Sequence, residues 1–237
     1  MSVNRRNVLV IGASRGIGLE IANYLAYRGY SVTSLARSKR SPKLLNEIKH
    51  IEFDLTKNEF EPLTNNFKKS GLHGVVFCAG LSIPSGTKDE ITRFRETIES
   101  NLIAPFITIC NLSKVIKKYG SVVFLSSINS KQGFSKNPGY VSSKSGLDGL
   151  TRALALDLSS KSIRVNSVTL GYFPTDMTIN SFKNKQEFER RKQKTILLRW
   201  GKLKEIPPAI DFLLSESSSY VTGSTLTIDG GWLAKGI

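Results

Sequence analysis

Residues 8–18 read V-L-V-I-G-A-S-R-G-I-G. The first four form a short apolar run ending at Gly12, the pattern of a strand covered on both faces of a parallel sheet. The residues that follow predict a helix to about Arg28, with Ile17, Ile21 and Leu25 on one face. Strand, glycine turn and helix in that order make a phosphate cradle. Glycines let a pyrophosphate approach the backbone, and the helix N-terminus offers free N–H groups and a favourable dipole. The spacing of Gly12, Gly16 and Gly18 is G-x-x-x-G-x-G, which differs from the G-x-G-x-x-G fingerprint. Ser14, Arg15 and Ile17 lie in the same turn and join the three glycines as candidate cofactor contacts.

Further strands are expected at 31–35, 50–54, 74–77, 121–125, 164–169 and 224–228. Helices are expected at 59–70, 90–118, 138–159 and 207–214, and a basic helical segment at 180–198. The alternation persists to the end, with no repeat or linker, so residues 1–237 are read as one α/β domain. Where a carboxylate after the second strand would take a ribose 2′-hydroxyl, the chain has Ala36 followed by Arg37. A guanidinium in place of a carboxylate favours a 2′-phosphate, hence NADP(H), and Arg15 points the same way. Asp54 closes the third strand, where it either meets the adenine amino group or caps the next turn. The small residues Cys78, Ala79 and Gly80 end the fourth strand and leave room for a ribose.

The chemistry is expected in 127–144, S-I-N-S-K-Q-G-F-S-K-N-P-G-Y-V-S-S-K. Tyr140 and Lys144 are one helical turn apart on one face. An ammonium beside a phenol favours phenolate and should lower the Tyr140 pKa towards working pH. Such a phenol can give a proton to a developing alkoxide, or take one from an alcohol. Ser127 begins the stretch at a strand's carboxyl end, where open α/β sheets place ligands, and its hydroxyl can hold the reacting oxygen. Asn101 stands in an otherwise apolar helical pattern of Ile98, Leu102, Phe106 and Ile109, so once buried it needs a polar partner.

Composition narrows the field. Two cysteines, Cys78 and Cys110, and two histidines give neither a disulfide framework nor a metal motif, and no metal is expected. No apolar run reaches membrane-spanning length, and the N-terminal apolar run is too short for a signal peptide. An uncleaved cytoplasmic protein is therefore expected. The net charge of +15 is spread along the chain, densest at 183–204. That stretch is read either as a solvated basic face or as a surface for an acidic ligand or partner, and nucleic acid is not expected.

Taken together, G-A-S-R-G-I-G (12–18), F-D-L (53–55), C-A-G (78–80), Asn101, Ser127, Y-V-S-S-K (140–144), I-R-V-N (163–166) and T-I-D-G-G (227–231) resemble the short-chain dehydrogenase/reductase family over essentially the whole chain. The resemblance implies a doubly wound Rossmann fold with a seven-stranded parallel sheet flanked by helices. It implies a catalytic set of Asn101, Ser127, Tyr140 and Lys144, in which serine binds the carbonyl and tyrosine is the proton donor. The lysine would hold the nicotinamide ribose, and the asparagine a relay water. Leu55, Gly171, Phe173 and Thr175 join the cofactor contacts, and 180–204 becomes a substrate lid. Two departures stand out: the family's N-N-A-G reads F-C-A-G at 77–80, and its P-G turn reads L-G at 170–171.

Within the family the chain looks most like 3-oxoacyl-[acyl-carrier-protein] reductases of fatty acid biosynthesis. Lys118 and Lys161 fall where those enzymes carry basic residues that grip the acidic carrier. Three readings follow: reduction of a carrier-bound 3-oxoacyl thioester, the same reaction on a free ketone or sugar, and a non-catalytic nucleotide-sensing or nucleic-acid-binding relative. The intact four-residue set disfavours the third. Family habit implies a homo-oligomer, a tetramer or dimer.

Overall fold

The computed structural model describes residues 5–57 and 59–235; the start of the N-terminus, M-S-V-N, lies outside them. Strand β1 (Asn7–Ile11) lies in the interior of a parallel sheet. It is flanked by β2 (Ser31–Ala36) on one side and β4 (Leu72–Phe77) on the other. With β3 (Lys49–Glu52), β5 (Ile116–Ser127), β6 (Arg164–Leu170) and β7 (Thr225–Ile228), the order is β3-β2-β1-β4-β5-β6-β7, seven strands in all. Side chains alternate across a strand. Val8 and Val10 pack with Ile21, Leu25, Ile210 and Leu213, from α1 (Gly16–Tyr27) and α8 (Pro207–Leu214). Leu9 and Ile11 pack on the other face with Ile109, Leu112, Leu147 and Leu154, from α4 (Ala104–Leu112) and α5 (Pro138–Asp157). Both faces are covered, which is why β1 reads as an unbroken apolar run.

The strand order reverses between β1 and β4, and the crevice at such a switch point is where open α/β sheets bind ligands. Gly12 enters it with φ +84°, and a Cβ there would lie 2.6 Å from the Ala79 nitrogen. A Cβ on Gly18 would lie 2.2 Å from the Gly12 carbonyl oxygen. Glycine at both positions is thus required by packing before any ligand is considered.

Several expected boundaries move. The helix expected at 59–70 shrinks to α2 (Glu61–Asn65). Thr64 Oγ1 and Asn66 Nδ2 donate to the carbonyls of Glu61 and Pro62, competing with the helical ladder. Strand β3 ends at Glu52 instead of Asp54, because the Asp54 carboxylate accepts from Thr56 N and Oγ1 in a tight turn. The long helix expected at 90–118 is α3 (Glu90–Ile98), a π-helical turn (Glu99–Ile103) and α4. It stops at Leu112 because the Val115 carbonyl is already in the sheet, accepting from Leu72 N at 2.8 Å. Strand β5 consequently starts early, at Ile116, with an irregular register against β4 before Ser121. The basic segment is two short helices, α6 (Ile179–Lys183) and α7 (Lys185–Gln193), broken where Asn184 caps α7 by accepting from Glu187 N.

Candidate active site

Strand β5 delivers Ser127 to the carboxyl edge of the sheet, paired with Leu170 of β6. Pro138 then starts α5, with Tyr140 in its first turn and Lys144 one turn later. The Ser127 hydroxyl lies near enough to the Tyr140 phenol to favour its ionisation, and accepts from Asn129 N at 3.2 Å. Lys144 is 5% exposed; its Nζ donates to the Leu125 carbonyl at 2.9 Å and lies 5.8 Å from the centre of the Tyr140 ring. The three expected side chains therefore converge.

The electrostatics differ from the expectation. Burial pushes the Tyr140 phenol up; the Ser127 hydroxyl opposes this and nearby Tyr172 reinforces it. The lowered phenol is not found. The same burial acts on Lys144, which it pushes down to about 8 against the pull of Asp148 and Cys78. Lys144 thus loses its proton before a raised phenol ionises, and a neutral amine cannot draw Tyr140 down.

Asn101 sits in the π-helical turn and is 1% exposed. Its Oδ1 accepts from Leu81 N at 2.7 Å, and its Nδ2 donates to the Leu81 carbonyl at 2.8 Å and to Ser143 Oγ at 3.1 Å. Asn101 thus braces the loop after β4 against α5. The apolar pattern around it differs from a regular helical face: the π turn rotates the helix, burying Thr97, Asn101, Thr108 and Ile109 while Phe106 stays exposed. Pro105, which has no N–H to give, stands in the first turn of α4, just past that irregularity. Of the two departures, Phe77 is buried beside Phe124, and burial keeps the Cys78 thiol neutral against the opposing pull of nearby Lys144.

The cofactor crevice can be tested against these residues. Gly16 has φ +54° and nothing within 4 Å of where a Cβ would stand. A Cβ on Gly80 would approach Lys144 Nζ to 3.6 Å and Asn101 Oδ1 to 3.8 Å. Ser126 Oγ and Thr169 Oγ1, on paired residues of β5 and β6, are buried with no hydrogen-bond partner among the described residues, as are Asn129 Oδ1 and Ser130 Oγ. An open glycine face at Gly16 and unpartnered polar atoms fit a bound nucleotide. Gly12–Gly18 would take its pyrophosphate; Cys78–Gly80 and Lys144 would face a ribose. Asp54 and Leu55 follow β3; against the opposing effect of burial, the Thr56 hydrogen bonds and, after them, the exposed Arg37 guanidinium beyond β2 draw the Asp54 carboxyl down.

Two expected contacts are placed differently. Arg15 reaches across the crevice to Asp176, Nε to Oδ2 at 3.1 Å. Phe173 is 4% exposed and turned inward, where a Cβ on Gly201 would strike its ring, so only its backbone can face a cofactor. Gly171 packs against Asp229, and Thr175 is held by Thr178, whose Oγ1 accepts from Thr175 N. Lys118 and Lys161 lie at the other end of the molecule. Lys161 follows the far end of α5, a helix about 30 Å long, and its Nζ donates to the Ser113 carbonyl; Lys118 is near the start of β5.

Sequence reasoning missed the aromatic wall beside Tyr140. Tyr172 packs on Trp200 and Trp232, with centroids 5.5 and 4.9 Å apart. Phe182 and Phe188 join Trp200 from α6 and α7, and the Arg191 guanidinium lies 4.3 Å from the Tyr172 ring centre. Trp232 Nε1 donates to Gln132 in the Ser127 loop. The only advance signal was the density of large aromatics after 170.

A doubly wound sheet with a glycine cradle at its switch point, and serine, tyrosine and lysine beside it, defines a nicotinamide-dependent oxidoreductase. A family profile described as enoyl-(acyl carrier protein) reductase matches residues 12–233. The chain belongs to the short-chain dehydrogenase/reductase family. It is 31% identical over 237 residues to 3-oxoacyl-[acyl-carrier-protein] reductase MabA of Mycobacterium tuberculosis, covering 95% of this chain and 92% of that one. It is 33% identical over 244 residues to L-xylulose reductase of Caenorhabditis elegans, covering 96% and 95%. Among solved structures, 4-hydroxyisoleucine dehydrogenase complexed with NADH matches with a TM-score of 0.88 and 28% identity, covering 97% of this chain and 99% of that one. No helix among the described residues is long and apolar enough to cross a membrane.

Proposed function

We propose that this protein is an NADPH-dependent ketoreductase that converts a 3-oxoacyl thioester, carried by acidic acyl-carrier protein, to the secondary alcohol in the cytoplasm. The observation that carries the reaction type is the convergence of Ser127, Tyr140 and Lys144 beside the crevice. Bound NADPH would supply the hydride. The Ser127 hydroxyl would hold the carbonyl oxygen, and the Tyr140 phenol, kept protonated by burial, would protonate it as charge develops. Lys144 would orient the nicotinamide ribose, and Asn101 would keep the 78–81 loop at the right height. Arg37, with no carboxylate at Ala36, supports a 2′-phosphate and so NADPH over NADH.

A second reading, reduction of a free ketone or sugar, is favoured by the kinship with L-xylulose reductase and by the position of Lys118 and Lys161. A carrier gripped at those lysines would face the site of a neighbouring chain. That requires an oligomer, and Ile91, Phe94, Ile103 and Phe106 offer exposed apolar surface along α3–α4 for one. The deciding experiment is NADPH consumption with a 3-oxoacyl group on carrier protein and on a small thiol. Faster turnover on the carrier, lost with added salt, supports the first reading. Equal turnover on both, or turnover of sugars alone, supports the second.

A further inference from the structure

Asp148 is a buried charge that this mechanism leaves unused. It stands four residues after Lys144 and eight after Tyr140, so the three share one face of α5. Its side chain is 4% exposed. Oδ1 accepts from Ser167 Oγ of β6 at 3.3 Å. Oδ2 lies 3.1 Å from Lys131 Nζ, an ion contact without the alignment of a hydrogen bond. Lys131 belongs to the loop that leaves Ser127 and is half exposed. Ser145, on the same helix, donates to the Ser130 carbonyl at 3.0 Å. The loop carrying the catalytic serine is thus fastened twice to the helix carrying the tyrosine and lysine.

A buried carboxylate is costly unless it compensates another charge. Lys144 is faced by Tyr140 and Asp148 on its own helix and by Cys78 at the end of β4. Burial pushes the Cys78 thiol far up, so it stays neutral. Asp148 is itself faced by Lys131 from the loop and Lys144 from the helix. Among the described residues, Asp148 is therefore the one carboxylate that faces the lysine.

We propose that Asp148 is a positioning residue for Lys144: from one turn along α5 its carboxylate keeps the lysine in the ammonium form, and through Lys131 it ties the Ser127 loop to that helix. The catalytic meaning of this rests on the ketoreductase reading; the charge coupling does not. Asp148 touches no reacting atom and acts only through Lys144 and Lys131.

Titration of Lys144 tests it without turnover. In protein labelled with carbon-13 at lysine side chains, the Lys144 signal is the one missing from Lys144→Met. The wild-type midpoint is expected at about 8. In Asp148→Asn it should fall by about one pH unit, a tenfold loss of proton affinity. Lys131→Met removes a neighbouring cation and should move it the other way, upwards. If Asp148 served only to fasten the loop, both variants would loosen the same contact and shift the midpoint together. An unmoved midpoint in Asp148→Asn, or shifts of the same sign, overturns the proposal. If Asp148→Asn does not fold, surface-exposed Lys131→Met decides alone: a rise supports the proposal, and a fall or no change overturns it. In turnover, Asp148→Asn should match wild type near pH 6 and fall about fivefold behind it near pH 8. A wild-type protein that reduces no ketone would remove the proposed function and leave the titration result standing.

Discussion

At the amino edge of the sheet, Asp211 is held by Arg28 at 3.1 Å and by the Tyr30 hydroxyl at 2.7 Å. Arg164 donates to Ser218 Oγ and the Ser215 carbonyl, and His73 accepts from Asn7 N. At the carboxyl edge, Ser126, Asn129, Ser130 and Thr169 each bury a polar atom with no partner among the described residues, and Lys144 is held in a site that disfavours its charge. Both edges come from the same strands and the same composition. Folding alone pairs buried polar groups, because an unpaired one costs free energy. An edge left unpaired gives up stability for binding and chemistry. The contrast locates the site without reference to any relative.

The sharpest way to break this comparison is to change the carboxyl edge where it reacts. Tyr140→Phe is expected to lower turnover about a thousandfold while leaving NADPH affinity within a fewfold of wild type. Most of the activity surviving in steady-state assays would mean that the proton comes from elsewhere.

Next in size is the cost of Lys144 itself. Its folded value of about 8 lies below the ordinary 10.5, so between those pH values the unfolded chain binds more protons. Stability from this residue is therefore lowest below pH 8 and rises through the window to about 10.5, by about 3 kcal/mol. Urea unfolding of wild type and Lys144→Met across that range should show wild type gaining on the variant as pH rises. Parallel curves would mean that the lysine is not strained.

Arg37→Ala comes third. Losing a charge-assisted hydrogen bond to a 2′-phosphate should weaken NADPH binding by about ten- to a hundredfold and leave NADH nearly unchanged. Calorimetric titration with both nucleotides measures this, and equal losses would remove the basis for NADP preference. The smallest effect belongs to the amino edge. Tyr30→Phe strips one hydrogen bond from Asp211 and should cost about 1 kcal/mol in denaturant unfolding, with turnover unchanged. A large activity loss there would erase the distinction between the two edges.

Much of the carboxyl edge was legible in advance because its signals are local. The glycine turn at 12–18, the strand runs and the i, i+4 pair of Tyr140 and Lys144 are each set by backbone geometry within one or two elements. Those signals determined the doubly wound fold, the glycine turn at its switch point and which side chains were candidates for the chemistry. The tertiary structure decided the rest. Only folding shows that Asn101 rides on a π turn and grips Leu81 twenty residues away. The same holds for the wall in which Tyr172, Phe182, Phe188, Trp200 and Trp232 join segments separate in sequence. The direction of the Tyr140 and Lys144 shifts was likewise out of reach, and the expected lowering of Tyr140 was wrong. A pKa depends on how much water the surrounding chain removes, and desolvation is a sum over neighbours that no local pattern records.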